Sequence, residues 1–160
     1  MNSAMQSLEM LGEYLKGVDA TLARPFVPAL SIAKVVRVYD GDTITVAAPF
    51  CNGSTQTEPE LYLFSVRLRG IDNPELRGGG AAEKVRAEVA RDALAGLVMG
   101  RIVRIDSVGS EKYGRVLANV YVDGLCVNEW MVERGFAAAY DGGTKRQLFK
   151  DDGGRAAAAT

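Results

Sequence analysis

The chain has no histidine among its 160 residues. That single absence removes Ser-His-Asp and Cys-His nucleophile systems, imidazole zinc sites and imidazole general bases together. Cysteine is nearly as scarce: Cys51 and Cys126 stand far apart with no Cys-x-x-Cys, which indicates neither a disulfide framework nor a thiolate zinc site. Both are expected to be free thiols. No apolar run approaches the ~20 residues of a membrane-spanning helix. The N-terminal stretch carries Glu9, Glu13, Lys16 and Asp19 among its apolar positions and lacks the basic start and unbroken apolar run of a secretory signal. A soluble, intracellular protein with no membrane partner is therefore expected. A dominant charge is missing too: 19 Lys plus Arg stand against 20 Asp plus Glu, a formal net charge of -1, so any basic surface must be local. Catalysis, if any, falls to carboxylates, guanidinium or ammonium groups, Tyr, Cys, or an oxygen-bound metal.

What is present is a core's worth of apolar sequence, 48% of the chain, at the length of one domain. Leu8, Leu11, Leu15, Val18 and Leu22 recur at spacings of three and four. They predict an appended helix that ends before Arg24-Pro25 and docks on the domain or on a second subunit. From Ile32 the period changes to that of strands. Ile32 to Tyr39 and Thr43 to Ala48 flank Asp40-Gly41-Asp42, a hairpin signal, and Leu61 to Arg69 follows a long polar loop, Pro49 to Glu60. A helix is predicted over Ala81 to Met99, with Val85, Val89, Ala93 and Leu97 as its apolar face and Gly100 as its stop. Strands Arg101 to Val108 and Val116 to Tyr121, the turn Asp123-Gly124 and a helix Val127 to Arg134 complete the pattern. Trp130 and Met131 on that helix read as core. Three strands, a helix, two strands and a helix describe an α+β chain, mainly β, built on a small five-stranded barrel. The expected organisation is a helix and linker over 1–30, one domain over 31–150 and a flexible tail over 151–160.

Three segments could carry chemistry. Asp40-Gly41-Asp42-Thr43 reads first as a plain turn, although two carboxylates fixed at a turn are also hard oxygen ligands for Ca²⁺ or Mg²⁺. Arg67-Leu68-Arg69-Gly70-Ile71-Asp72-Asn73-Pro74-Glu75 reads either as solvated strand-end charge or as a phosphoryl-transfer site. In the second reading its carboxylates hold metal or activate water, while a guanidinium grips phosphate. Glu111-Lys112-Tyr113-Gly114-Arg115 is an ordinary charged hairpin loop, or a loop that grips phosphate and stacks on a nucleotide.

Taken in order, Val38-Tyr39-Asp40-Gly41-Asp42-Thr43, Val66 to Glu75, Lys112-Tyr113-Gly114-Arg115 and Val127-Asn128-Glu129 resemble the staphylococcal nuclease (thermonuclease) family. The resemblance spans about Ile32 to Tyr140. It implies a five-stranded barrel of the oligonucleotide-binding (OB) type with packed helices. It also implies Ca²⁺-dependent hydrolysis of DNA and RNA phosphodiesters, by cleavage of the 5′ P–O bond to leave 3′-phosphate ends. By position, Asp42 and Asp72 resemble the metal's carboxylate ligands, Asn73 the residue that lends it a backbone carbonyl, and Asp40 a nearby supporting acid. Glu75 matches the general base or water positioner, and Arg67 and Arg115 match the two phosphate-gripping arginines. Lys112 and Tyr113 match substrate contacts, with Tyr140 standing where further substrate tyrosines are found. Two departures stand out: the Pro49 to Glu60 loop is long, and the segment between Glu75 and the Ala81 helix is short. With acidic and basic residues balanced, nucleic-acid binding is expected to be weak and strongly salt-sensitive. The substrate expected is single-stranded DNA or RNA, acted on by a monomer. Two other readings remain open on the sequence: a catalytically silent nuclease-like domain that binds nucleic acid or protein, and a simple single-strand-binding barrel.

Overall fold

In the computed structural model, which describes residues 3–50, 59–74 and 80–140, burial alternates along the strands as a barrel wall requires. Every second residue of Val116–Val122 is buried, for example. The elements, in chain order, are α1 (Ser3–Leu15), β1 (Ile32–Asp40), β2 (Thr43–Pro49), β3 (Leu61–Leu68), β4 (Ile71–Asp72), α2 (Ala81–Val98), β5 (Ile102–Ser110), β6 (Val116–Val122), β7 (Leu125–Cys126), α3 (Val127–Glu133) and β8 (Ala138–Ala139). The five long strands pair antiparallel in the order β3-β2-β1-β5-β6, and a parallel β3–β6 pairing closes the barrel. Closure pairs both edges of this five-stranded sheet with each other. Inside it, Ile44, Val46, Val66, Leu68, Ile105 and Val120 form the core with essentially no exposure. The OB-type barrel and its helix insertions are thus as expected.

Turn chemistry follows the sequence in one hairpin and departs from it in another. Asp123 and Gly124 both take positive φ (48° and 82°), the geometry in which a two-residue turn matches strand twist between β6 and β7. Gly41 has no positive φ among the described residues that do. It must be glycine for a different reason. A Cβ there would lie 2.7 Å from Asn73 Oδ1 and 2.8 Å from Ala90 Cβ, because α2 and the segment after β4 press directly on the turn.

That contact explains a correction to α2. Val85 and Val89, expected on its buried face, are exposed, and the buried stripe is instead Ala87, Ala90, Leu94 and Val98. Small residues let the helix approach the backbone of the Asp40–Asp42 turn, so close packing overrides side-chain hydrophobicity. Met131 is fully buried and Trp130 packs beside the core, its ring centroid 5.6 Å from that of Phe136, as a core reading of both requires.

A second correction concerns the N-terminal segment. Helix α1 ends at Leu15 rather than before Arg24, and a turn begins in which the Asp19 carboxylate accepts the Thr21 N–H at 2.7 Å. Gly17 is a poor helix former, and this local bond offers the backbone an alternative to helix. No residue of α1 is buried, so the helix does not dock on the barrel. No described helix is long and apolar enough to cross a membrane. The centre of the Pro49 to Glu60 loop with Cys51, the expected base Glu75 and the tail all lie outside the described residues.

Candidate functional site

The turn that α2 compresses also carries the first carboxylates. The Asp42 N–H donates to Asp40 Oδ1 at 3.2 Å, and Asp42 itself turns inward, 6% exposed. Its two oxygens are held from different strands. The Thr43 hydroxyl donates to Oδ1 at 2.8 Å, and Arg67 Nη2 donates to Oδ2 at 3.1 Å. Register brings the second pair within reach, because Thr43 on β2 pairs directly with Arg67 on β3 and the Leu68 N–H donates to the Asp42 carbonyl at 2.8 Å. The same Nη2 reaches Asp72 Oδ1 at 3.4 Å, so one guanidinium bridges two carboxylates.

Asp42 carries charge reluctantly. Burial, and after it the neighbouring Asp40 carboxylate, push its pKa up to about 6 against the opposing pull of Arg67 and the Thr43 hydroxyl. A buried carboxylate in that state gains from any additional cation.

Arg115 ends the loop between β5 and β6, just where β6 begins to run beside β3. Glu111 closes that loop: its N–H donates to the Arg115 carbonyl at 3.0 Å, and Gly114, at φ 77°, donates back to the Glu111 carbonyl at 2.9 Å. The Glu111 carboxylate takes Arg115 side-on, Nε to Oε1 at 2.8 Å and Nη2 to Oε2 at 3.0 Å. Arg115 holds the Glu111 carboxyl below the usual carboxylate range through this pair. Arg115 Nη1 then donates to the Thr43 hydroxyl at 3.1 Å. Sequence reasoning assigned no role to Thr43 or to the Glu111 side chain. A Thr at a strand start and a charged residue entering a loop both look ordinary, and only the i, i+4 spacing of Glu111 and Arg115 hinted at their pairing.

All the candidate residues that the structure describes line one groove of about 1600 Å³. Asp40, Asp42, Arg67, Asp72 and Arg115 are joined there with Lys112, Tyr113 and Tyr140. Lys112 and Tyr113 are exposed at the loop tip, the ammonium 4.7 Å from the ring centroid. Tyr140 is placed by its N–H, which donates to the Gly70 carbonyl at 2.8 Å beside the short β4–β8 pairing. Tyr39, Asn119 and Tyr121 also line the groove and were not singled out from the sequence.

The groove's oxygen donors suit a hard cation rather than a soft one. Asp42 and Asp72 share one guanidinium, and Asn73 Oδ1, against Gly41, is buried without a hydrogen-bond partner in the described structure. Among the described residues no three acidic or Cys side chains converge as a ready-made cage. Two carboxylates, an adjacent acid and the carbonyl-bearing Asn73 fit a divalent ion that also takes water and phosphate oxygens as ligands.

Comparison with known proteins agrees with the geometry. The family described as staphylococcal nuclease homologue matches residues 65–156. "Protein ParB" of Escherichia coli is 37% identical over 116 residues, covering 67% of this chain and 56% of that protein. An "Uncharacterized endonuclease" of Escherichia coli is 33% identical over 109 residues, covering 68% of this chain and 60% of that protein. "Staphylococcal-like nuclease CAN1" of Arabidopsis thaliana is 33% identical over 81 residues, 49% of this chain and 23% of that protein. The chain thus matches little more than half the length of the two bacterial relatives. With the barrel, the ordered motifs and the family match in agreement, the chain belongs to the staphylococcal nuclease family.

Proposed function

We propose that the protein is a calcium-dependent nuclease that hydrolyses phosphodiester bonds of DNA and RNA with little sequence preference, cutting the 5′ P–O bond to leave 3′-phosphate ends. The observation that carries this reading is the hydrogen-bonded alignment of Arg67 and Arg115 on either side of Asp42, through Thr43. Two guanidinium groups fixed in one groove beside a carboxylate pair is what phosphodiester hydrolysis without imidazole requires.

Asp42, Asp72 and the Asn73 backbone carbonyl would hold the ion, with Asp40 in support. Bound calcium would supply a Lewis acid at a phosphate oxygen and neutralise phosphate charge. Arg67 and Arg115 bind the scissile phosphate and stabilise the charge that grows on its oxygens. Glu75 takes the proton of the attacking water or orients it. A guanidinium is a poor acid, so Arg115 acts electrostatically rather than by protonating the leaving oxygen. Lys112, Tyr113 and Tyr140 hold the flanking nucleotides. An open groove on a barrel receives an unstacked strand more readily than a duplex, which supports single-stranded substrates; we further propose action as a monomer, by internal or terminal cuts.

Digestion of end-labelled single-stranded DNA and RNA at low salt tests the proposal. Cleavage is expected in calcium and not in a calcium chelator, with products that carry 3′-phosphate. Equal cleavage in chelator, or products with 3′-hydroxyl ends, would contradict it.

A further inference from the structure

Arg115 has five N–H donors in a rigid fork, and the structure accounts for three of them. Nε and one hydrogen of Nη2 go to Glu111, and one hydrogen of Nη1 goes to Thr43. Among the described residues nothing takes the second hydrogen of Nη1 or of Nη2, and the two are enough to hold a phosphate oxygen pair from one planar group. Left to itself, a guanidinium on this loop has closer targets than a phosphate. Besides Glu111, which raises its pKa most, Arg115 feels the charges of Asp42 and Asp40. Collapse onto those carboxylates would remove the second guanidinium and compete with a bound cation.

We infer that Glu111 is a positioning residue: by clamping the Nε–Nη2 edge of Arg115 it turns the remaining N–H groups toward the substrate phosphate and keeps the guanidinium off Asp42 and Asp40. The clamp is well built for this. Both partners are largely shielded, with side-chain exposures of 26% for Arg115 and 18% for Glu111. Glu111 also accepts the Tyr113 N–H at 3.2 Å, so the carboxylate cannot swing away without disturbing its own loop. Thr43 fixes the other end of the fork from β2. The result is a single path, Glu111 to Arg115 to Thr43 to Asp42 to Arg67, that sets the spacing of the two phosphate-binding groups. Spacing of this sort counts in catalysis because a small misplacement of a charged group costs transition-state stabilisation.

This inference rests on the nuclease reading for its consequence, but not for its geometry, and the two are tested separately. In the substrate-free protein, the Arg115 Nε–H should give a protected, slowly exchanging NMR signal that is lost in Glu111→Ala. The same signal in the variant as in the wild type would overturn the clamp whether or not the protein cleaves anything. In the cleavage assay, Glu111→Ala should lower kcat about tenfold or more with KM changed less than about twofold. Glu111→Gln, which keeps one acceptor oxygen and the loop's bulk, should recover part of that loss. On an Arg115→Ala background, Glu111→Ala should cost nothing further. An equal loss with and without Arg115 would show that Glu111 acts through the loop, and would overturn its positioning role. Absence of cleavage by the wild type would sink the nuclease reading and leave the Nε–H signal to decide the clamp.

Discussion

Replacing Asp42 by asparagine is expected to stabilise the metal-free protein while abolishing its cleavage of nucleic acid. The two effects have one cause. Burial and Asp40 hold the Asp42 pKa at about 6, above the ordinary aspartate value of 3.8, so its negative charge opposes folding wherever it is ionised. For a group whose folded pKa is raised, the favourable contribution is complete below the unfolded pKa and is lost as pH rises through the folded one. The window here is about pH 4 to 6. A shift of that size corresponds to at most about 3 kcal/mol. That pKa already includes the pull of Arg67, which keeps Asp72 at 3.4 Å in the variant; the gain is smaller than this bound because the amide must itself be buried and hydrogen-bonded. A net gain of about 1–2 kcal/mol should raise Tm by roughly 5 °C at pH 8. Thermal unfolding in chelator across pH 4 to 8 checks this: wild type and Asp42→Asn should agree near pH 4 and separate by pH 6. Cleavage should fall by at least about a hundredfold, because the proposed ion loses a charged ligand. A variant that melts lower than wild type at pH 8 would show that the Arg67 pair outweighs the cost of burial.

The largest destabilisation is expected from Asn128→Ala. Asn128, at the start of α3, is 4% exposed and uses three bonds to tie the helix to two other elements. Its Oδ1 accepts the Val120 N–H at 3.0 Å, and its Nδ2 donates to the carbonyls of Arg69 at 2.9 Å and Ala118 at 3.1 Å. Ala118 keeps a second donor, the Arg69 N–H at 2.9 Å, so it is not orphaned by the substitution. The Val120 N–H loses its side-chain partner inside the barrel wall, and the Arg69 carbonyl loses one at the turn into β4. An unsatisfied buried group costs about 1–3 kcal/mol, so a loss of about 2–4 kcal/mol and a Tm lowered by roughly 10 °C are expected. Because β4 carries Asp72, the loosened turn should also weaken the carboxylate pair, and residual activity should fall faster with temperature than in the wild type. A Tm within about 2 °C of wild type would mean that water replaces all three bonds.

Much of this is legible in the amino-acid sequence. The five long strands were readable because one face of each is buried and alternation marks it, and the Asp-Gly turns punctuate the hairpins. The short β4–β8 pairing was not, since two residues have no period and Ile71 finds Ala139 only through the folded barrel. The face of α2 was misread for a physical reason: a scale that rewards Val over Ala cannot know that a turn must fit against the helix. At the site, the charged residues stood out by type and spacing. Thr43 did not, because its role is to join Arg115 to Asp42 across two strands and a loop, and that proximity exists only after closure. Glu111 was hidden by its ordinariness, a loop carboxylate among many.

The most direct test of the account compares the wild type with Glu75→Gln on labelled single-stranded DNA and RNA in calcium at low salt, with folding checked in parallel. The substitution preserves size and removes the proposed base. Cleavage by the wild type that falls by about a hundredfold or more in Glu75→Gln is the expected result. A folded wild-type protein that binds these strands and leaves them intact would contradict the account, and would make the groove a binding surface that keeps a nuclease's residues without its reaction.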